Sequence, residues 1–212
     1  MTDPGMCSAG SCVTLDPHAC ANNFACSGTT CKTSCASSAD CATNFACLKM
    51  ACVSASVDQQ QLMVAAVAGP LGGTNSMQKL AQVVTAGRAG TLVEVRLPVT
   101  CLPGAAMTVQ IQGVTAAGAP DGNILSSVSI QPGAAPTDGS FRAISLTSPI
   151  TVTAGSMFAI VAIGPATDSC AMTFGPAGDT YPGGNSFFDA RPNLPGWVEN
   201  TLDLPFQTVL AP

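Results

Sequence analysis

The stretch Thr91-Leu-Val-Glu-Val-Arg-Leu-Pro-Val99 decides the fold class. Leu92, Glu94 and Arg96 interleave with Val93, Val95 and Leu97, and a period of two sends successive side chains to opposite faces of a pleated strand. Thr108, Gln110 and Gln112 interleave with Val109 and Ile111 in the same way, which predicts strands with one face in a core and one in water. Outward from these, β-prone runs recur at 62–67, 79–85, 107–114, 124–130, 141–146, 150–152, 157–163, 171–174, 186–189 and 204–210. Pro103-Gly104, Pro120-Asp121-Gly122, Pro132-Gly133 and Pro182-Gly183-Gly184 supply turns between them. No helical apolar stripe is present, so residues 59–212 are expected to form an all-β sandwich.

Only 9% of the 212 residues are charged, while Gly numbers 21 and Pro 16. That balance argues against coiled coils, helical bundles and charge-rich disorder. Seven Lys and Arg against twelve Asp and Glu leave a net charge of −5 with no basic cluster. Phosphate backbones need a cationic footprint, so no nucleic acid is expected as a partner. The longest apolar run, residues 62–71, is about half of what a bilayer requires, so no membrane span is expected.

Nine of the 11 cysteines fall in the first 52 residues: Cys7, Cys12, Cys20, Cys26, Cys31, Cys35, Cys41, Cys47 and Cys52. That segment has almost no aliphatic residues to bury, so cross-links must restrict its unfolded state instead. Disulfides require an oxidising compartment, and an extracellular or cell-surface location is expected. Zinc is disfavoured, because no C-x2-C knuckle is present and His18 is the chain's one histidine. Cys101 and Cys170 stand apart at strand edges and are expected to bridge each other. Nine is odd, so one arm cysteine, Cys7 or Cys12, is left for an intermolecular bridge or an upstream partner. No charged n-region with an apolar h-region is visible, so a mature chain or a fragment is expected.

The arm repeats itself. Cys20-Ala-Asn-Asn-Phe-Ala-Cys26-x4-Cys31 returns as Cys41-Ala-Thr-Asn-Phe-Ala-Cys47-x4-Cys52, and Cys7-x4-Cys12 looks like the tail of an earlier copy. Cys31-Lys-Thr-Ser-Cys35-Ala-Ser-Ser-Ala-Asp-Cys41-Ala resembles the cysteine-rich modules of large secreted bacterial proteins, and D-C-x5-C-x4-C is similar to the Dickkopf N-terminal type of cysteine knot. The likeness covers about residues 5–53 and implies an extracellular spacer or stalk without activity. The expected organisation is a disulfide-stapled module at 1–53, a linker at 54–58 and a sandwich at 59–212. Within the last, Gln82-Val-Val-Thr-Ala-Gly87, Thr153-Ala-Gly155 and Asp203-Leu-Pro-Phe206 are similar, in their order, to jelly-roll domains at the ends of secreted bacterial surface proteins. This resemblance implies a jelly-roll-type β-sandwich and a binding, adhesive or structural role, with sugar binding in several relatives.

Catalytic constellations are not found, and no enzyme is expected. His18 lies between Pro17 and Cys20 and reads as a solvated turn residue. No nucleophile elbow, zincin helix or phosphate loop appears. Glu94 and Glu199 leave a carboxylate pair formally open, but one Trp and one Tyr make a poor glycosidase cleft. No cofactor is expected. If calcium binds at all, Asp168, Asp179, Asp189 and Asp203, beside Glu199, are the candidates, against the preferred reading as turn and strand-cap residues. Tyr181 and Trp197 are the candidates for sugar stacking, near Phe187 and Phe188; the preferred reading of such aromatics is core, Trp197 least so. The expected function is a non-enzymatic extracellular structural or adhesive subunit, able to self-assemble into a surface filament or matrix. Its expected partners are other copies of itself or cell-envelope components. The alternative is a secreted carbohydrate-binding module with a disulfide-rich spacer, and a polysaccharide partner.

Overall fold

The structure, a computed structural model, describes residues 20–25, 31–65, 67–73, 78–134, 141–167, 169–191 and 196–212, with the backbone alone of 7–8, 11–12, 26–27 and 30. His18, Asp168 and the sulfurs of Cys7, Cys12 and Cys26 lie outside the described atoms. The arm holds three hairpins: β1 (Cys7–Ser8) with β2 (Ser11–Cys12), β3 (Cys26–Ser27) with β4 (Thr30–Cys31), and β5 (Phe45–Leu48) with β6 (Ala51–Ser54). Their register is shared: Cys7 faces Cys12, Cys26 faces Cys31 and Cys47 faces Cys52. The sequence repeat is therefore also a repeat of structure.

The sandwich follows as β7 (Ser56–Gln61), β8 (Ala68–Leu71), β9 (Lys79–Thr85), β10 (Gly90–Leu97), β11 (Val99–Cys101), β12 (Met107–Val114) and β13 (Pro120–Ile130), then β14 (Arg142–Val152), β15 (Met157–Ile163), β16 (Cys170–Thr173), β17 (Ser186–Asp189), β18 (Val198–Glu199) and β19 (Phe206–Ala211). One sheet has the order β14-β10-β19-β7, continued past Pro98 by β11-β16-β8; the facing sheet has the order β13-β12-β15-β9-β17-β18. Every named pairing is antiparallel. The chain passes repeatedly from one sheet to the other, as at β9 to β10, β13 to β14 and β14 to β15, and its first and last sandwich strands, β7 and β19, lie side by side, in keeping with a jelly-roll-type sandwich. Inward side chains such as Leu80, Leu92, Leu97, Ile111, Ile160, Phe206 and Leu210 form the main core. Cys101 bridges Cys170 directly across β11 and β16, which are paired at that register.

Three expectations change at the strand level. The described residues of the apolar run 62–67, residues 62–65 and 67, are not in a strand: β7 is the polar run before them, and Leu62, Met63, Val64 and Val67 are exposed. β7 is an edge strand with Ser, Asp and Gln side chains, the composition that blunts an unpaired edge. The runs at 141–146 and 150–152 join as one eleven-residue strand, because Pro149 is absorbed in a register shift against β10 rather than ending it. Residues 54–58 are divided among the end of β6, a buried Ala55 and the start of β7.

The arm is stapled by Cys20–Cys31, Cys35–Cys47 and Cys41–Cys52. Its buried cluster consists of Cys20, Cys35, Cys41 and Cys52 around Phe24, so sulfur replaces hydrocarbon as the core material. The repeat's asparagine has a conformational cause: Asn23 and Asn44 both take left-handed backbone, φ 61 and 68, which Asn tolerates better than most residues. Asn23 C=O accepts from Ala42 N–H at 2.8 Å, and Asn44 C=O accepts from Ala55 N–H at 2.9 Å, so the sandwich is tied to the second copy much as that copy is tied to the first. Lys32 and the N–H groups of Ala36 and Ser37 hold the Asp40 carboxyl well below the usual carboxylate range. No helix among the described residues is long and apolar enough to cross a membrane.

Candidate functional site

The arm does not stand clear of the sandwich. Ala46 of β5 and Ala55 pack on Val93, Val209 and Ala211 of the outer sheet face, flanked by Leu48 and Val53. The Ser145 hydroxyl accepts from Ser38 N–H at 3.0 Å and donates to Ser38 Oγ at 3.3 Å. Between arm and sheet lies a groove of about 700 Å³. Its floor carries two cross-strand rows, Ala143–Arg96–Gln207 and Glu94–Val209. Arm residues from Ser38 to Ala46 form one wall, and Phe45 and Phe141 give it aromatic surface.

A β-bulge lies beside Glu94 in this floor. On β10, Leu92 faces Leu210 of β19 and Glu94 faces Val209, so two steps on one strand match one on the other. The extra residue shifts the alternation. Leu92, Val95 and Leu97 all enter the core, while Val93 joins the outer cluster and Glu94 lines the groove. The expected partition, with Leu92, Glu94 and Arg96 on one face, is thereby corrected. Glu94 has 3% of its side chain exposed, and its Oε1 accepts from Arg96 Nε at 2.7 Å; the Arg96 side chain is 38% exposed. Among the described residues, Glu94 Oε2 and the terminal nitrogens of Arg96 carry no hydrogen bond.

The residues singled out from sequence lie elsewhere. Tyr181 is in the core, its ring edge-on to Phe206 at 4.9 Å, with its hydroxyl donating to Gln59 Oε1 at 3.1 Å. Burial pushes its phenol up to about 12. Its ring faces are taken by packing, so it offers no stacking surface to a sugar. Trp197 is half-buried and packs with Phe187 over Ala81, Val83, Ala159 and Val161 on the outer face of the other sheet. Phe188 packs against the main core.

The aspartates are also separated. Asp203 is buried and accepts Thr180 N–H at 2.7 Å, Tyr181 N–H at 2.8 Å and Gln82 Nε2 at 3.2 Å, while Gln82 Oε1 accepts Leu204 N–H at 2.8 Å. Two motifs distant in sequence, around Gln82 and Asp203, therefore meet in one polar tie. Asp189 takes Arg191 Nε on both oxygens, at 2.9 and 3.0 Å; hydrogen bonds and the charge of Arg191 outweigh its burial and lower its carboxyl from the ordinary range. Asp179 is exposed. Glu199 lies on β18, in the opposite sheet from Glu94, and accepts from Asn185. The Cys35, Cys41 and Cys52 sulfurs lie near one another, but each is spent in a disulfide and offers no thiolate to a metal. Comparison with known proteins finds no matching family model and no matching curated protein.

Proposed function

We propose that this chain is a secreted, non-enzymatic adhesive module in which a disulfide-stapled arm and a jelly roll together form one binding surface. The observation that carries this reading is the docking of the arm on the outer face of the four-stranded sheet, with a groove left between them. A flexible spacer would leave that face open to water; here the arm covers its apolar half and frames its polar half. The disulfides fit an oxidising, extracellular setting. Co-sedimentation with cell-envelope fragments and insoluble extracellular polysaccharide tests the reading. Retention of the protein without release of soluble sugar is expected. Release of reducing ends would make it an enzyme, and failure to bind either matrix would remove the adhesive role.

A second reading, self-assembly, has its own support. The chain has 11 cysteines, and an odd number cannot all pair within one chain. Leu62, Met63, Val64 and Val67 also form an exposed apolar run beside edge strand β7. Non-reducing gels with negative-stain microscopy decide it: disulfide-linked multimers or fibres support assembly, and a monomer with one alkylatable thiol ends that reading.

A further inference from the structure

We propose that the Glu94–Arg96 pair anchors a saccharide subsite, binding adjacent hydroxyls of a sugar ring in the groove beneath the arm. This deepens the adhesive reading and rests on it. Glu94 and Arg96 share the outward face of β10, and the bulge at Val93 lies directly beside them. Bulges recur next to sites. A carboxylate 3% exposed on a sheet face with one half-open partner is poor material for stability, since desolvation offsets much of the attraction. What the pair offers is a donor and an acceptor side by side. Oε2 of Glu94 is free to accept, and the terminal nitrogens of Arg96 are free to donate.

The ion pair is neutral as a unit, and this selects the ligand. A lone ammonium meets the repulsion of Arg96, and a lone carboxylate meets that of Glu94. A hydroxyl both donates and accepts, so two neighbouring hydroxyls satisfy the pair together. The half-buried rings of Phe45 and Phe141 line the same groove and suit the apolar C–H face of a sugar. The groove volume of about 700 Å³ lies within the range of small-ligand sites. Gln207, opposite Arg96 on the floor, donates its side-chain amide to Gln60 Oε1 at 2.9 Å.

Calorimetric titration of the full chain with cellohexaose, xylohexaose and mannohexaose, and with hexalysine as a cationic control, tests this. At least one hexasaccharide is expected to bind, and Glu94→Gln to weaken it at least tenfold. Because Glu94→Gln also alters a buried pair, Ala143→Trp is the second variant: Ala143 is exposed and lines the groove, so a large ring there blocks it while removing nothing from the core. It should abolish binding with an unchanged melting temperature. Fluorescence of the chain's one Trp, Trp197, should not respond to the sugar in the unmutated protein, because it lies on the opposite sheet. Saccharide binding that survives both variants, a Trp197 response, tighter binding of hexalysine, or no binding by any of the three sugars would each overturn the subsite. The adhesive reading would outlast that failure if matrix retention persists.

Discussion

The arm and the sandwich reach a fixed shape by opposite means. The sandwich buries leucine, isoleucine, valine and phenylalanine between two sheets and needs one disulfide across a 69-residue separation. The arm, among its described residues, buries little besides Phe24 and its own sulfurs, and the three disulfides described there each close separations of 11 or 12 residues. Hydrocarbon burial stabilises the folded state of the first, whereas cross-links restrict the unfolded state of the second. The arm also borrows apolar area from the sheet it covers. A module with so small a core becomes rigid by leaning on a large one, and the space between them becomes the candidate site.

The sharpest way to break this contrast is to remove the cross-links. Short loops of this size stabilise by roughly 2–3 kcal/mol each in the chain-entropy model. Reduction without denaturant is therefore expected to unfold the arm and leave the sandwich strands protected in hydrogen exchange. Loss of protection in β9, β12 and β15 at the same reductant concentration would contradict it. Core truncation should act on the other partner: Phe206→Ala, at a residue 0% exposed, is expected to cost about 3–5 kcal/mol in denaturant unfolding. A cost under about 1 kcal/mol would mean that the sandwich does not rest on this core.

A milder probe uses the chain's one tyrosine. Burial raises the Tyr181 phenol from 10 to about 12, so the neutral form is the one the fold favours. Its contribution is complete below pH 10 and is lost as pH rises through about 12. Absorbance at the phenolate band should appear only near that upper value in the native protein; ionisation at the ordinary value would put the ring in solvent. The smallest effect lies in the arm hairpin, where Lys49 and Met50 take φ 51 and 63, both left-handed. Hairpin turns of this kind favour glycine there, so Met50→Gly is expected to stabilise the arm by about 1 kcal/mol. A destabilised arm would show that the Met50 side chain, though 73% exposed, makes a contact of its own.

Much of the sandwich was legible as short β-prone runs divided by Gly and Pro: 79–85, 107–114, 157–163 and 186–189 match β9, β12, β15 and β17. The jelly roll itself was suggested by the resemblance carried by Gln82–Gly87, Thr153–Gly155 and Asp203–Phe206. The site was not legible, for two physical reasons. The bulge in β10 is marked by no Gly or Pro, only by an ordinary Val93, so alternation read through it put Leu92 on the outward face and Val93 in the core, the reverse of their places. The docking of the arm depends on small residues, Ala46 and Ala55, which a search for large apolar side chains passes over. The run at 62–67 misled in the opposite sense: its apolar character suggested a strand, while the ladder to β19 is formed by the polar residues before it. Tyr181, a candidate for sugar stacking whose preferred reading was core, lies in the core against Phe206.

The central claim, that arm and sandwich form one body with a groove at their junction, is most directly tested by methyl nuclear Overhauser contacts in the oxidised full chain. Cross-peaks from the Ala46 and Ala55 methyls to those of Val93 and Val209 are expected, because these side chains share one buried cluster. Absence of those cross-peaks, with the arm's resonances tumbling faster than those of the sandwich, would contradict the account.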